Sequence, residues 1–220
     1  NFVYYGAQLS QGEGQEMAQV IGADVVNQGE VELFENGVEW IPGIAKSTYN
    51  GSMASWKGAG ILVDKEGNRV VNERAAGKDI VAVMEQEENA MLYLFLDQAT
   101  YDLFKSNITG YGISEEMLDG WVEVNGETRP YFAKADTVED VAAILEIDAD
   151  NLQATIERYN SFVQTGNDED FSRDPAFMTA EIGEGPYYLI EQVPRFATTL
   201  GGLRINNKLQ VINTDGEVIE

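Results

Sequence analysis

The chain has 220 residues, and its 38 acidic and 14 basic residues give a formal net charge of −24. A hydrophobic content of 44%, with ten Tyr, nine Phe and three Trp, predicts a folded core despite this charge. His and Cys are absent, which excludes a Ser-His-Asp triad, a cysteine nucleophile, a zinc site and disulfide bonds.

The sign of the charge excludes further classes of partner. Nucleic acids and anionic membrane surfaces both require clustered Lys and Arg, and the 14 basic residues here are scattered. No run of 18 apolar residues occurs, so the sequence predicts no membrane insertion in this segment. We predict no metal site, and the compartment stays open between cytoplasmic and exported.

The first predicted element is a short helix. Gly12-Glu13-Gly14 precedes apolar residues at helical spacing, and the helix is expected to end at Gly22. A β-hairpin is predicted next, with Ile61–Val63 and Val70–Val71 as its strands around a glycine turn. Met91–Leu96 is short, apolar and bounded by Asp97, which favours a buried strand, and a short helix should follow it.

The middle of the chain is predicted to be helical and acidic. Thr137 and Asp140 have capping-box spacing, and a second helix should run from about Asp150 to Val163 and end at Gly166. Residues 111–170 contain 15 acidic and three basic residues, a pattern typical of a solvated outer face. The C-terminal segment predicts a hairpin around Asp215-Gly216. Because it stops inside that hairpin and position 1 is Asn, we expect the chain to be an excised piece.

Two groups of residues suggest ligand chemistry. Lys57, Arg74 and Lys78 lie near the first hairpin and could bind an anionic substrate, although surface ion pairs are the commoner role of such residues. The run Thr198-Thr199-Leu200-Gly201-Gly202 could let the backbone approach a ligand, or it could be a tight turn.

Several segments match a known pattern in the same order along the chain. They are Gly12–Ala18, Gly60–Glu73, Leu152–Asn160 with Gly166–Phe171, Gly185–Tyr188, and Thr199–Gly202 with Gln210-Val211 and Asp215-Gly216. Together they resemble the fumarate reductase and succinate dehydrogenase flavoprotein family, in its soluble FAD-binding branch of flavocytochrome c type.

The resemblance implies an α+β fold with a capping domain. Residues 45–190 would be the capping, substrate-binding domain, and residues 1–44 and 191–220 would be small β-rich segments of the FAD-binding domain. FAD would be the cofactor of the full-length protein. The Gly-x-Gly-x-x-Gly segment that holds the diphosphate does not occur, so we expect this piece alone to bind FAD poorly or not at all. The implied partners are a small-molecule substrate and the missing FAD-binding remainder.

The resemblance also implies cofactor-binding residues. Glu13 stands where the family has an Asp that helps to hold FAD, and Gly14 follows it. Gly201 and Gly202 match glycines that pass near the flavin and substrate.

The implied substrate site departs from the family pattern. Thr198 replaces a His that binds the substrate carboxylate, Thr199 follows it, and Ser52 replaces the Thr of a Thr-Glu pair. The family's proton-donating Arg aligns with Gly77, so Arg74 and Lys78 are the nearest candidates for the catalytic donor.

The predicted function is therefore flavin-dependent reduction or dehydrogenation of an activated carbon–carbon bond, with a cap that closes over the substrate. Fumarate itself is not assigned as the substrate, because much of the family's cationic set is missing. The alternative is a non-catalytic, acidic ligand- or partner-binding module that uses Trp40, Trp56 and Tyr49.

Overall fold

The computed structural model describes residues 2–108 and 112–219 as a mixed α/β fold. Its strands are β1 (Val3–Tyr4), β2 (Val25–Val26), β3 (Val31–Ile41), β4 (Ile44–Ser47), β5 (Ile61–Val63), β6 (Leu92–Leu96), β7 (Phe132–Ala135), β8 (Tyr187–Thr199) and β9 (Gly202–Leu203). Its α-helices are α1 (Glu13–Val20), α2 (Tyr49–Ser55), α3 (Gly77–Met84), α4 (Gln98–Ile108), α5 (Glu115–Val124), α6 (Val138–Ile144) and α7 (Ala149–Thr165).

The described chain forms two compact units. The first unit comprises Phe34–Arg195 together with Phe2 and Val3, and the second comprises Tyr4–Leu33 and the chain from Phe196 onward. None of the described helices is both long and apolar enough to cross a membrane.

A sheet forms the centre of the first unit. Its strand order is β4-β3-β8-β6-β5, and β7 also pairs with β8. The β6–β8 pairing is antiparallel, with Leu94 opposite Ile190, and β5 pairs antiparallel with β6. Every residue of β6 is buried, which confirms the strand predicted from the apolar run that begins at Met91.

The helices around the sheet end where local signals predict. Thr137 caps α6 by accepting a hydrogen bond from the backbone N–H of Asp140. The long helix α7 ends at Gly166, which has a φ of 66°, and it buries the apolar face that begins at Leu152. Both helix predictions in the acidic middle segment are confirmed.

The predicted first hairpin forms only in part. Its turn is present, with Asp64 N–H donating to the carbonyl of Asn68, but the returning chain makes a single bridge between Val63 and Arg69. The N–H of Leu62 donates to the carboxylate of Glu73 at 3.0 Å instead of to a strand carbonyl. Val70–Val71 is therefore not a strand, and the prediction was wrong there because a buried side chain replaces the ladder hydrogen bond.

Aromatic and aliphatic side chains fill the space between the sheet and the helices. The rings of Tyr101 and Tyr188 stack with centroids 3.7 Å apart, and Phe104 and Phe132 are fully buried. Trp56 belongs to this core with 1% of its surface exposed. Its predicted use in surface ligand binding was therefore wrong, because the core takes up the indole.

The second unit is smaller and has little regular structure. Its helix α1 begins after Gly12, which has a φ of 93°, and none of its residues is buried. Strands β2 and β9 pair antiparallel, with Val26 opposite Gly202. The predicted turn at Asp215-Gly216 forms, but its flanks meet only at an isolated bridge between Ile212 and Val218.

Candidate functional site

A cluster of buried polar side chains lies in the first unit where α2 begins against β8. The hydroxyls of Thr48 and Ser52 lie 3.1 Å apart. Each donates within hydrogen-bond distance of the Gln192 side-chain oxygen, at 3.0 Å and 3.2 Å respectively. All three residues have no exposed surface. The predicted substrate residue Ser52 is thus held inside the protein, next to two polar residues that the sequence analysis did not single out.

The next part of this cluster joins β3 to β8. Arg195 donates to the side-chain oxygen of Asn36 from both Nε and Nη2, at 3.1 Å and 2.8 Å. Its guanidinium also lies over the ring of Phe34, 4.9 Å from the centroid. The amide nitrogen of Asn36 in turn donates to Glu35 at 3.1 Å. A positive and a negative side chain are therefore fixed on either side of one buried amide.

The predicted catalytic residue Arg74 lies beside α2. Its Nη1 is 3.4 Å from the sulfur of Met53, the residue after Ser52, and its guanidinium lies 4.3 Å from the ring centroid of Phe177. Its Nε is buried and has no hydrogen-bond partner among the described residues. No described carboxylate forms an ion pair with Arg74, although the chain has 38 acidic residues.

Lys78 and Gly77 begin helix α3, on the segment that follows Arg74. Lys78 is exposed. Gly77 faces Glu35 so closely that a Cβ atom at position 77 would lie 2.5 Å from Glu35 Oε2. The structure thus brings Ser52 and Arg74 together through Met53, and it places Glu35 beside Gly77.

The candidate cofactor residues lie in the second unit. Glu13 and Gly14 begin α1 and are exposed, and the candidate substrate residues Thr198 and Thr199 are exposed at the end of β8 in the same unit. Gln28 connects the two predicted cofactor segments.

The side-chain nitrogen of Gln28 lies 3.4 Å from the side-chain oxygen of Gln15 on α1. The same nitrogen is 3.0 Å from the position that a Cβ of Gly201 would take. The beginning of α1 and the pair Gly201-Gly202 are therefore neighbours.

A polar cavity of about 600 Å³ lies elsewhere in the first unit, lined in part by Tyr93, Arg129 and Tyr131. Beside it, Glu191 is buried and accepts hydrogen bonds from the N–H groups of Glu39 and Tyr131, at 2.6 Å and 3.1 Å. Burial raises the pKa of Glu191 to about 7, and Tyr131 N–H and Arg129 oppose this rise only in part.

One group of carboxylates could hold a cation. Oxygens of Asp64, Glu66 and Glu87 lie within 4.8 Å of one another. Partial burial, and then the charges of Asp64 and Glu66, raise the pKa of Glu87. Asp64 also accepts a hydrogen bond from the N–H of Asn68 in the turn. The cluster is explained by this turn, and we assign no metal to it.

Sequence reasoning missed Glu35, Asn36, Gln192 and Arg195. Their polar side chains lie on β3 and β8, and Asn36 and Arg195 are 159 residues apart in the chain. One signal was available, because Glu191, Gln192 and Arg195 interrupt the apolar run that follows Tyr187. Polar residues inside a buried strand are expected to be paired or functional.

The chain is similar to a known protein family and to several known proteins. A family model described as an FAD binding domain matches residues 2–220. The chain is 26% identical over 213 residues to an NADH:acrylate oxidoreductase of Vibrio harveyi, covering 95% of this chain and 19% of the relative. It is 31% identical over 161 residues to a fumarate reductase (cytochrome) of Shewanella frigidimarina, covering 72% of this chain and 25% of the relative.

The fold is also similar to a solved structure. The open conformation of a flavocytochrome c3 fumarate reductase superposes with a TM-score of 0.72 at 22% identity, covering 100% of this chain and 35% of that chain. The chain thus spans about a fifth to a third of the length of these proteins.

Proposed function

This chain belongs to the FAD binding domain family, and on that premise we propose that it supplies the substrate-capping region and adjoining cofactor-binding segments of an FAD-dependent oxidoreductase. The reaction is reduction or dehydrogenation of an activated carbon–carbon bond in a small molecule. Residues 45–190 act as the cap that closes over the substrate, and residues 1–44 and 191–220 belong to the FAD-binding part.

The observation that supports this proposal most strongly is that Arg74 forms no ion pair with a described carboxylate. A guanidinium without a carboxylate partner is unexpected in a chain of net charge −24, where acidic groups are abundant. Its half-buried position against Phe177 fixes its direction, and its Nε–H has no hydrogen-bond partner among the described residues. Such a group suits a substrate carboxylate or the carbon that receives a proton.

The neighbouring residues orient the substrate end of this site. Thr48 and Ser52 hold the first turn of α2 to Gln192, which keeps Met53 in place beneath Arg74. Ser52 therefore acts as a support, since its hydroxyl is engaged inside the protein. Arg74 is the stronger candidate for the catalytic donor, because Lys78 is exposed to water.

The residues of the second unit fit the hydroxyl-bearing portion of FAD. Glu13 presents an exposed carboxylate that can accept hydrogen bonds from hydroxyl groups. A Cβ at Gly14 or Gly202 would have no neighbour within 4 Å, so a ligand can approach the backbone at both positions. Bound FAD supplies the hydride-transfer chemistry. Thr198 and Thr199 are exposed at the end of β8, where their hydroxyls can donate hydrogen bonds to a ligand.

The test is the visible spectrum of the full-length protein. We expect bound flavin that is bleached by dithionite and reoxidised by an alkene that carries an electron-withdrawing group. A colourless protein, or a flavin that no such alkene reoxidises, would contradict the proposal. The colourless result would favour the alternative binding module, for which Trp40 and Tyr49 remain exposed at 39% and 42%.

A further inference from the structure

The environment of Glu35 indicates which substrates the proposed enzyme accepts. We propose that Glu35 is a specificity-determining residue that accepts a hydrogen bond from an O–H or N–H group of an unsaturated monocarboxylic acid and disfavours dicarboxylic acids. This inference rests on the proposed function and adds the class of substrate to it.

The two carboxylate oxygens of Glu35 differ, because only one of them accepts a hydrogen bond from a described residue. The residue is 7% exposed in the middle of β3. Its Oε1 accepts the hydrogen bond from Asn36 at 3.1 Å, whereas no described residue donates a hydrogen bond to Oε2. Oε2 is therefore the oxygen of this largely buried side chain that a donor on the substrate could bind.

Gly77 shows that the position of this oxygen is specific. A Cβ atom at position 77 would lie 2.5 Å from Oε2 and 3.3 Å from Cδ of Glu35. Any other residue at position 77 would therefore displace the carboxylate. Glu35 and Gly77 form a matched pair, in which the absence of a side chain on one residue makes room for the charged end of the other.

The helix that begins at Gly77 explains why this carboxylate excludes a second one. The first N–H groups of a helix and its dipole attract anions, and exposed Lys78 in the same turn of α3 adds a positive charge. Without Glu35, this end of α3 would suit a substrate carboxylate. Because Glu35 takes that place, a second substrate carboxylate would meet a like charge in a poorly solvated setting, which is unfavourable.

Arg74 provides the group that binds the substrate carboxylate. It is a guanidinium without a carboxylate partner in the described part of the first unit, so it suits the single carboxylate of the substrate. A molecule with one carboxylate and one hydrogen-bond donor can thus bind both Arg74 and Oε2 of Glu35, whereas a dicarboxylate can bind only Arg74.

The experiment uses the FAD-loaded full-length protein and four alkene acids. Two of them, 4-hydroxycinnamate and urocanate, carry a donor, cinnamate lacks one, and fumarate carries a second carboxylate. We expect kcat/KM to favour at least one donor-bearing acid over both cinnamate and fumarate. Binding of the saturated counterparts, followed by the change in flavin absorbance, should show the same order, which separates recognition from turnover.

Glu35→Gln keeps the shape of the side chain and removes its charge. We expect the preference for the donor-bearing acid over fumarate to fall roughly 10- to 100-fold, as expected for the loss of a charged hydrogen bond. Glu32→Gln is the matched control, since Glu32 is an exposed residue of the same strand, and it should leave the preference unchanged.

A second variant covers the case in which Glu35→Gln does not fold. Gly77→Ala retains the charge and moves only the flexible end of Glu35, and it should lower the preference in the same direction. Gly120→Ala is its control, because a Cβ at Gly120 has no neighbour within 4 Å.

A wild-type preference for fumarate or cinnamate over both donor-bearing acids, or a preference that survives both Glu35→Gln and Gly77→Ala, would overturn the role of Glu35 while leaving the proposed reaction intact. A flavin that no alkene reoxidises would instead count against the proposed function. In that case the role of Glu35 is tested by the affinities of the saturated acids. The wild-type protein should prefer a donor-bearing acid, and Glu35→Gln and Gly77→Ala should weaken that preference.

Discussion

Arg173 donates from Nη1 to the carboxylate of Glu73 at 2.9 Å, and neither side chain has any exposed surface. The same guanidinium donates to the backbone carbonyls of Trp56 and Phe177. Arg69 donates to both oxygens of the same carboxylate, from Nε to Oε1 and from Nη2 to Oε2. Burial opposes ionisation of Glu73, but the charges of Arg173 and Arg69 outweigh it, so the pKa of Glu73 lies below its ordinary value.

Removal of the Glu73 charge, which Arg173 and Arg69 share, should therefore destabilise the first unit strongly. Glu73→Gln leaves two buried guanidinium groups without their common counter-ion, so we expect the free energy of unfolding to fall by about 3–5 kcal/mol. Urea denaturation of the 220-residue chain measures this. Asp119→Asn is the control, because its 2.6 Å pair with Lys105 is exposed and should contribute less than about 1 kcal/mol. Equal losses in the two variants would contradict the prediction.

Glu191 should make stability fall as the pH rises. Its pKa is about 7 in the folded chain, against an ordinary value of 4.5. Between these values the folded chain holds a proton that the unfolded chain releases, so the free energy of unfolding decreases across this window by roughly 3 kcal/mol.

Glu191→Gln should remove this part of the slope in urea titrations between pH 5 and pH 8. Its constant cost from altered hydrogen bonds does not affect the comparison of slopes. Glu116→Gln, an exposed control, should retain the wild-type slope. A slope unchanged by Glu191→Gln would show that other carboxylates cause the pH dependence.

Arg74 and Lys78 should differ in their effect on turnover. In the FAD-loaded full-length protein, we expect Arg74→Met to lower kcat about 100-fold or more, the usual effect of losing a positioned acid. Lys78→Met should cost less than tenfold, because that side chain is exposed. Flavin absorbance reports whether each variant still binds FAD. Normal turnover in the double variant would remove both residues as candidates.

The two glycines of the proposed cofactor segment should tolerate alanine differently. A Cβ at Gly201 would lie 2.8 Å from the backbone oxygen of Asn27, whereas one at Gly202 would meet nothing within 4 Å. We expect Gly201→Ala to lower the free energy of unfolding of the full-length protein by about 1–3 kcal/mol and to reduce its flavin content. Gly202→Ala serves as the control for stability. Similar melting temperatures for both variants would contradict this account.

The 220-residue chain alone should bind FAD poorly. The first turn of α1 contains Glu13 and Glu16, and these charges oppose the binding of a diphosphate at that helix N-terminus. Equilibrium dialysis with FAD tests this directly. Purification of the chain with one equivalent of flavin would refute the prediction.

Local signals in the sequence predicted the elements that local forces determine. The cap at Thr137, the end of α7 at Gly166 and the apolar strand β6 depend on neighbours within a few residues. The second strand of the hairpin depends instead on Glu73 binding Leu62 N–H and two arginines. Arg173 lies 100 residues further along the chain, so no local pattern could indicate this exchange.

Some residues of the candidate site could likewise be predicted from the sequence, and others could not. Arg74 could be found because basic residues are scarce, and Ser52 followed from the family pattern. Glu35 could not be found, because its importance comes from its contact with Gly77. The resemblance predicts that Gly77 stands where the family has its proton-donating Arg, but only the folded chain shows that the Glu35 carboxylate lies beside Gly77.

The turn before Arg69 limits where the first unit could accept an inserted residue. A Cβ at Gly67, whose φ is 82°, would lie 2.6 Å from the carbonyl oxygen of Asp148, and Thr155 donates to the carbonyl of Gly67 at 2.8 Å. An inserted residue here would have to push α7 away from the sheet. We therefore expect random insertion libraries to recover folded chains with additions at exposed positions such as Gly43, and none with additions at Gly67.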